Sequence, residues 1–293
     1  MYDSNKRVAI LSKPQKPELA QIVPALVAWL RIRGFETIAD GTTAQYLTHS
    51  ADAGVKVFPR EEVAHAGLAF AIVLGGDGTL LSAARAVSRA NVPILAVNLG
   101  SLGFLTEVRL EDLYPTLEAW CDGRVQCDRR AMLQCDIYRD GRCIAEYEAL
   151  NDVVVAKANI ARIADLSVFV GGNFVANYMA DGVIIATPTG STAYSLAAGG
   201  PVVAPNLRVM LVTPVSPHAL TNRPLVVSGD DEITIRMNRA DQLFVTSDGQ
   251  EAQEITVHDE IRCRLSKNSV RLIRPKTTNF FDVLRTKLKW GER

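Results

Sequence analysis

Apolar positions along the first third of the chain follow two rhythms. Continuous runs at 7–11 (RVAIL), 69–74 (AFAIVL) and 93–97 (PILAV) read as strands covered on both faces, as in a parallel sheet. Between them, residues 17–33 carry Leu19, Ile22, Val23, Leu26, Trp29 and Leu30 at helical spacing, and 79–90 (TLLSAARAVSRA) reads as a further helix. Gly34 is placed to stop the first helix. Pro24 inside it predicts a kink or a later start. Strand and helix in alternation predict a doubly wound, Rossmann-like α/β domain.

The rhythm changes near residue 112. From about 130 onward, short β-rich runs recur at 132–138, 142–147, 152–155, 166–170, 183–186, 209–213, 232–236, 243–246, 260–265 and 269–273. Turn signals such as Asp140-Gly141 and Gly171-Gly172-Asn173 separate many of them. This predicts a mostly antiparallel, β-sandwich-like domain. A last segment, 279–290, sets Phe280, Val283, Leu284 and Leu288 at helical spacing and reads as a helix docked on the body. The expected division is an α/β domain over 1–115, a β-rich domain over 116–275 and a tail over 276–293.

Composition narrows the function classes. The 293 residues are 48% apolar and 22% charged, with 32 basic against 32 acidic side chains. That is a globular balance with no charge excess to draw the chain to nucleic acid or an anionic membrane. No stretch approaches the ~20 apolar residues that cross a bilayer. The opening MYDSNKRVAIL is charged too early and apolar too briefly for a signal peptide, so a cytoplasmic location is expected. Five cysteines without a CxxC and four histidines with none paired at i, i+4 argue for reduced thiols and against a zinc site.

Four clusters carry candidate chemistry. Gly75-Gly76-Asp77-Gly78-Thr79 joins the 69–74 strand to the next helix. Glycines there let a ligand approach bare amides, and the helix start suits phosphate. Asp77 does not suit it: a carboxylate ~4 Å from a phosphate charge costs about 4 kcal/mol at an effective dielectric of 20. The acid makes sense if it takes a proton from an attacking hydroxyl, or if a metal sits between the charges. The loop is neither Walker A nor GxGxxG. Asn98-Leu99-Gly100-Ser101-Leu102-Gly103-Phe104-Leu105 follows the next strand at the sheet's carboxyl edge, where open α/β sheets bind ligands; taken alone it reads first as a packing loop and second as part of a binding site. Asn151-Asp152 heads a strand, either as turn residues or as hydrogen-bonding partners for a ribose or base edge. The fourth cluster, Asp181 to Pro201 (DGVIIATPTGSTAYSLAAGGP), reads as a buried strand, a turn and a short helix capped by Ser191 or Thr192. Its small polar residues around Tyr194 suggest a binding site.

Taken together, GGDGTLL (75–81), NLGSLGFL (98–105), NDVVV (151–155) and the 181–201 segment resemble the bacterial NAD kinases, in that family's order and over nearly the whole length. Pro217 to Pro224 and Ser247-Asp248-Gly249-Gln250 are similar to it as well. The resemblance implies transfer of a phosphoryl group from ATP, or another nucleoside triphosphate, to the 2′-hydroxyl of the adenosine ribose of NAD, giving NADP. It makes Asp77 the proton acceptor and Gly78 a dinucleotide contact, within a phosphate loop of Gly75, Gly76, Gly78 and Thr79. It has Asn151 and Asp152 holding ribose and base, and Asp181 accepting a hydrogen bond from the dinucleotide. It has Thr192, Ala193, Tyr194, Ser195, Leu196 and Ala197 framing the bases, with Tyr194 stacking. Gln250 and Arg162 match further contacts. A divalent ion, Mg²⁺, is expected to bridge the triphosphate, held by phosphate oxygens and water with no protein ligand. The resemblance also implies a tail returning to the first domain and a homodimer or homotetramer in which a neighbour completes the site.

The chain departs from the family at three positions. Met179 and Ser82 stand where many relatives carry Arg, and Ala197 where many carry Ser. Each removes a polar contact worth ~1–3 kcal/mol, which bears on affinity or on the choice between NAD and NADH. Two other readings compete: a different GGDG kinase acting on a lipid or sugar phosphate, and a non-catalytic dinucleotide-binding regulator.

Overall fold

The computed structural model describes residues 6–47, 54–100, 102–157, 163–239, 242–274 and 279–290. It divides into two compact units, Met1–Arg129 with Ser269–Arg293, and Arg130–Asn268.

The first unit runs β1 (Arg7–Ser12), α1 (Leu19–Ile32), β2 (Glu36–Asp40), α2 (Gly41–Ala44), β3 (Lys56–Phe58), β4 (Phe70–Leu74), α3 (Asp77–Val87), β5 (Pro93–Asn98), β6 (Val108–Arg109) and α4 (Leu113–Cys121). Its strands lie in the order β3-β2-β1-β4-β5 and all pair in parallel. The order reverses between β1 and β4, the switch point at which such sheets leave a crevice beyond their carboxyl ends. β4 runs from there straight into Gly75. Val8, Ile10, Phe70, Ile72, Leu74, Leu95 and Val97 share one core with Leu19, Val23, Leu26 and Leu30 of α1. The alternate residues Ala9, Leu11, Ala71 and Val73 point the other way and are buried too, which is why these strands read as unbroken apolar runs.

α1 continues through Pro24 rather than restarting after it. The lost hydrogen bond is offset by burial of Val23, Leu26, Val27 and Leu30, each worth ~1.5–3 kcal/mol. Gly34 ends the helix as expected, at φ 77°. The amide of Gly34 donates to the Arg31 carbonyl at 2.9 Å and that of Phe35 to Leu30 at 3.0 Å, a Schellman closure. The first unit extends past residue 115 to Arg129, because α4 sends Leu113 and Leu117 into the α1 core.

The second unit holds most of the β structure: β7 (Cys127–Arg139), β8 (Arg142–Ala149), β9 (Asp152–Lys157), β10 (Ala164–Val170), β11 (Asn173–Ala180), β12 (Gly182–Ala186), then the one-turn α5 (Tyr194–Ala197), β13 (Val209–Val215), β14 (Leu225–Ser228), β15 (Ile233–Met237), β16 (Leu243–Ser247), β17 (Glu251–Ile255) and β18 (Asp259–Ile273). One sheet has the order β14-β13-β12-β9-β16-β17, and its strands pair antiparallel. The other carries β11-β10-β15-β18, with β7 and β8 beyond. Val153, Val155, Val183, Ile185 and Val245 of the first sheet share a core with Leu133, Leu166, Val168, Ile235 and Ile261 of the second, so this unit is a sandwich. β18 ends in the first unit, where Arg271 and Leu272 pair in parallel with β5.

The terminal helix, α6 (Phe280–Leu288), is set by a capping box: Asn279 accepts the amide of Asp282, whose carboxylate accepts the amide of Asn279. It belongs to the first unit, burying Val283 and Leu284 and laying Lys287 over the ring of Phe104 at 5.8 Å.

Candidate active site

Gly75 and Gly76 turn the chain from β4 into α3. A Cβ on Gly75 would stand 2.4 Å from Thr79 Oγ1, so the turn closes only on glycine. Gly76 takes the N-cap position in an extended conformation, without a side-chain cap. The amide of Thr79 is engaged by the Gly76 carbonyl at 3.0 Å. Asp77 opens the helix, where a carboxylate is favoured by the helix dipole. Its side chain reaches the segment after β5. Oδ1 accepts the amides of Leu105 (3.2 Å) and Thr106 (3.0 Å) and the Thr106 hydroxyl (2.9 Å). Oδ2 accepts the amide of Phe104 at 3.0 Å. Residues 104–106, at the end of the 98–105 motif and just past it, are therefore the seat of the Asp77 carboxylate.

In the second unit, a cavity of about 430 Å³ is lined by Asn151, Asp152, Val154, Ala156, Ala193, Tyr194, Thr246, Asp248 and Gly249. Four of these were expected from the sequence: Asn151, Asp152, Ala193 and Tyr194, the last with its ring exposed. Asp248 was not. Its carboxylate accepts the amides of Leu150 (3.0 Å), Asn151 (2.8 Å) and Asp152 (3.3 Å). Asp248 and Gly249 both have positive φ, 49° and 63°, and with Gln250 form the three-residue turn between β16 and β17. The Asp-Gly pair is the signal that could have found it. The resemblance picks out Ser247 to Gln250 but gives a contact only to Gln250, and the turn itself is not legible because β17 (EAQEI) is too polar to look like a strand.

Burial, and then the charge of Asp248, push the Asp152 carboxyl up from 3.8 to about 7. A buried acid held protonated favours the fold at low pH and opposes it once it must ionise. That stability is lost as pH rises from about 4 through about 7, in all on the order of 4 kcal/mol. Asp152→Asn mimics the protonated acid. Its thermal midpoint is expected to match the wild type near pH 4 and to exceed it by several degrees at pH 8. A gap that stays constant across this range would rule out Asp152 as the titrating group.

The other expected residues divide. Ser191 and Thr192 were expected to cap the short helix, and neither does. The Ser191 hydroxyl donates to the Pro188 carbonyl at 2.6 Å and accepts the Val203 amide at 3.0 Å, and Thr192 Oγ1 donates to Thr189 at 3.2 Å. The chain stays in a 3₁₀ turn over Thr189–Thr192, leaving these hydroxyls nearest to carbonyls three residues back. Ser195 is fully buried with its hydroxyl on Thr213 at 2.9 Å, so it serves the fold rather than facing a ligand. Leu196 is half-buried, and Ala197 and Gln250 are exposed outside the cavity lining. Asp181 pairs with Lys157 at 2.6 Å. In the β9–β12 register Ala186 faces Asp152 and Gly182 faces the cavity-lining Ala156, which puts Asp181 one residue beyond that second pair, ~15 Å along the strand from Asp152. Arg162 lies outside the described residues.

Comparison with known proteins gives these parts a lineage. Residues 8–125 match the ATP-NAD kinase N-terminal domain and residues 150–275 the ATP-NAD kinase C-terminal domain. An NAD kinase of Acidobacterium capsulatum is 52% identical over 289 residues, covering 98% of this chain and 100% of that one. One from Koribacter versatilis is 53% identical over 290 residues, covering 98% and 99%. The chain belongs to the NAD kinase family. Among solved structures, yeast NADH kinase complexed with NADH has a TM-score of 0.91 at 25% identity, covering 99% of this chain and 89% of that one. An NAD kinase from Archaeoglobus fulgidus in complex with ATP has a TM-score of 0.75 at 26% identity, covering 97% and 98%.

The three departures from the NAD kinase pattern have different surroundings. Ser82 Oγ accepts Arg60 Nη1 at 3.2 Å, and the same guanidinium bonds Asp40 (2.7 Å) and the Ser12 carbonyl (2.9 Å). A cation therefore stands beside position 82 although residue 82 does not supply it. Met179 is 39% exposed on β11, and nothing in its surroundings explains the exchange. Ala197 ends α5 with its methyl exposed.

Proposed function

We propose that this chain transfers the terminal phosphoryl group of ATP to the 2′-hydroxyl of the adenosine ribose of NAD, yielding NADP and ADP, with Asp77 as the general base. Family membership over 98% of the chain supports the reaction class. The observation that carries the assignment of the base is the seat of Asp77. Phosphoryl transfer is mostly positioning and charge neutralisation. A carboxylate fixed by four donors, with one oxygen still holding an open lone pair, is equipped to take a proton at a set point. As the ribose oxygen attacks phosphorus, its proton passes to Asp77, the new O–P bond forms, and the bond to the ADP oxygen breaks.

The cavity of the second unit supplies recognition. At about 430 Å³ it falls in the usual range for small-molecule sites. Asn151 and Asp152 offer donors and acceptors to a ribose or base edge, and Tyr194 a stacking face. Gly78, Ala193, Thr192, Asp181, Gln250 and Arg162 complete the reading as further dinucleotide contacts, in a homodimer or homotetramer. Among the described residues no three His, Cys, Asp or Glu side chains converge on a point that could hold a metal. The donor set does not fit a protein-caged ion, so Mg²⁺ is taken to travel with the triphosphate and no step is assigned to it.

Incubating purified protein with NAD, ATP and Mg²⁺, and measuring NADP with an NADP-specific dehydrogenase, tests the reading. NADP accumulating in proportion to enzyme is the expected result. Binding of NAD without turnover would favour the non-catalytic regulator, and phosphorylation of a lipid or sugar phosphate instead would favour a different GGDG kinase.

A further inference from the structure

The segment that seats Asp77 is built around one hydroxyl. Thr106 is fully buried and Asn98 nearly so. The amide of Gly100 donates to Asn98 Oδ1 at 2.6 Å, which fixes which face of the Asn98 amide carries hydrogen. Asn98 Nδ2 then donates to Thr106 Oγ1 at 2.8 Å. A hydroxyl has a single proton; with Asn98 donating into it, Thr106 must direct that proton to Asp77 Oδ1, 2.9 Å away. Among the described residues Oδ1 receives three donors and Oδ2 one. A carboxylate oxygen offers two lone pairs, so Oδ1 is saturated and Oδ2 is not. Gly103 makes the room: a Cβ there would stand 2.1 Å from Asp77 Oδ1 and 2.4 Å from Thr106 Oγ1. Behind the segment, Arg274 bonds the buried carboxylate of Glu107 and reaches Asp128 at 2.7 Å.

We propose that Thr106, oriented by Asn98, is a positioning residue that ties up Asp77 Oδ1 and so presents Oδ2 as the oxygen that takes the substrate proton. The inference rests on Asp77 being the base. A loop that only packed would have no need of the hydroxyl, since valine has the same shape and suits a buried site better. A base held by one oxygen is restricted to the geometry of its other oxygen, and misplacement by ~1 Å can cost 10²-fold in rate.

The test is a double-mutant cycle. Thr106→Val and Thr106→Ser are made in the wild type and in Asp77→Asn, and kcat and KM for NAD and ATP are measured with NADP formation as readout. In the wild type, Thr106→Val is expected to lower kcat about tenfold with both KM values within twofold, and Thr106→Ser to stay within threefold of wild type. In the Asp77→Asn background, Thr106→Val should change the residual turnover less than twofold. An equal loss in both backgrounds, or a Ser variant as poor as Val, makes Thr106 structural only and overturns the inference. Full turnover in Asp77→Asn alone instead removes the base itself, so the two failures are distinguishable. Gly103→Ala is a second arm that does not depend on Thr106→Val folding. Its methyl should lower both kcat and Tm, and Asp77→Ala should restore at least half of the lost Tm. Restoration by neither Asp77→Ala nor Thr106→Ala would show that the methyl meets something other than the Asp77 seat and count against the arrangement the inference is built on.

Discussion

Asp77→Asn is expected to lower kcat about 10³-fold while KM for NAD changes less than threefold, since a positioned general base contributes ~10²–10⁴. The substitution keeps the size and planarity of the side chain and removes the proton acceptor. The three donors at Oδ1 select the Asn oxygen, which leaves its NH₂ facing the amide of Phe104, the one donor at Oδ2 among the described residues. One donor–donor contact at a half-buried site costs about 1–2 kcal/mol, so the variant should remain folded with a slightly lower Tm. Steady-state NADP formation and a thermal melt measure both. A kcat within tenfold of wild type would mean that the carboxylate only orders the 104–106 segment.

Gly190→Ala should be the most damaging single methyl in the second unit. A Cβ on Gly190 would stand 2.1 Å from the carbonyl oxygen of Asn151 and 2.8 Å from its Cα. Both are backbone atoms that no rotamer change can move. The turn is locked on this segment from several sides: Gly190 donates to Thr187 Oγ1 at 3.0 Å, Thr187 Oγ1 donates to the Leu150 carbonyl at 2.6 Å, and the Thr187 amide to Asn151 at 2.9 Å. Accommodating the methyl means separating the turn from Asn151 and Asp152. The expected cost is about 3 kcal/mol, a fall in Tm of roughly 5–10 °C. NAD affinity by calorimetry should weaken at least tenfold. Wild-type affinity in a destabilised variant would place the dinucleotide away from Asn151.

In the α/β unit β1, β4 and β5 were legible because both their faces are covered, so RVAIL, AFAIVL and PILAV read as strands; β2 (ETIAD) and the exposed β3 (KVF) were not, because polar residues interrupt them. The sandwich was legible in class but not in every strand. β11 (NFVANYMA) and β17 (EAQEI) went unread because they end their sheets, where polar side chains are tolerated, and β14 (LVVS), also an edge strand, because four residues are too few to set a pattern. β18 looked like two strands broken at Ser266-Lys267-Asn268. It is continuous because Glu148 accepts Ser266 Oγ at 2.5 Å and Asn268 Nδ2 at 2.9 Å, a tertiary satisfaction invisible to local pattern. The site divides the same way. Asp77 stood out by being electrostatically wrong for its loop. Its partners at 104–106 did not, because nothing local ties a helix start to a loop 27 residues on.

The Asp248-Gly249 turn illustrates how one dipeptide can answer to two demands. For the hairpin alone, Asn-Gly is as good as Asp-Gly, and drift between them would look harmless. But the Asp248 carboxylate gathers the amides of Leu150, Asn151 and Asp152, and an Asn in its place would turn an NH₂ toward one of them. A swap that is interchangeable by turn statistics would therefore loosen the floor beneath the neighbouring cavity-lining pair. The constraint on residue 248 comes less from the bend it makes than from the strand it leans against.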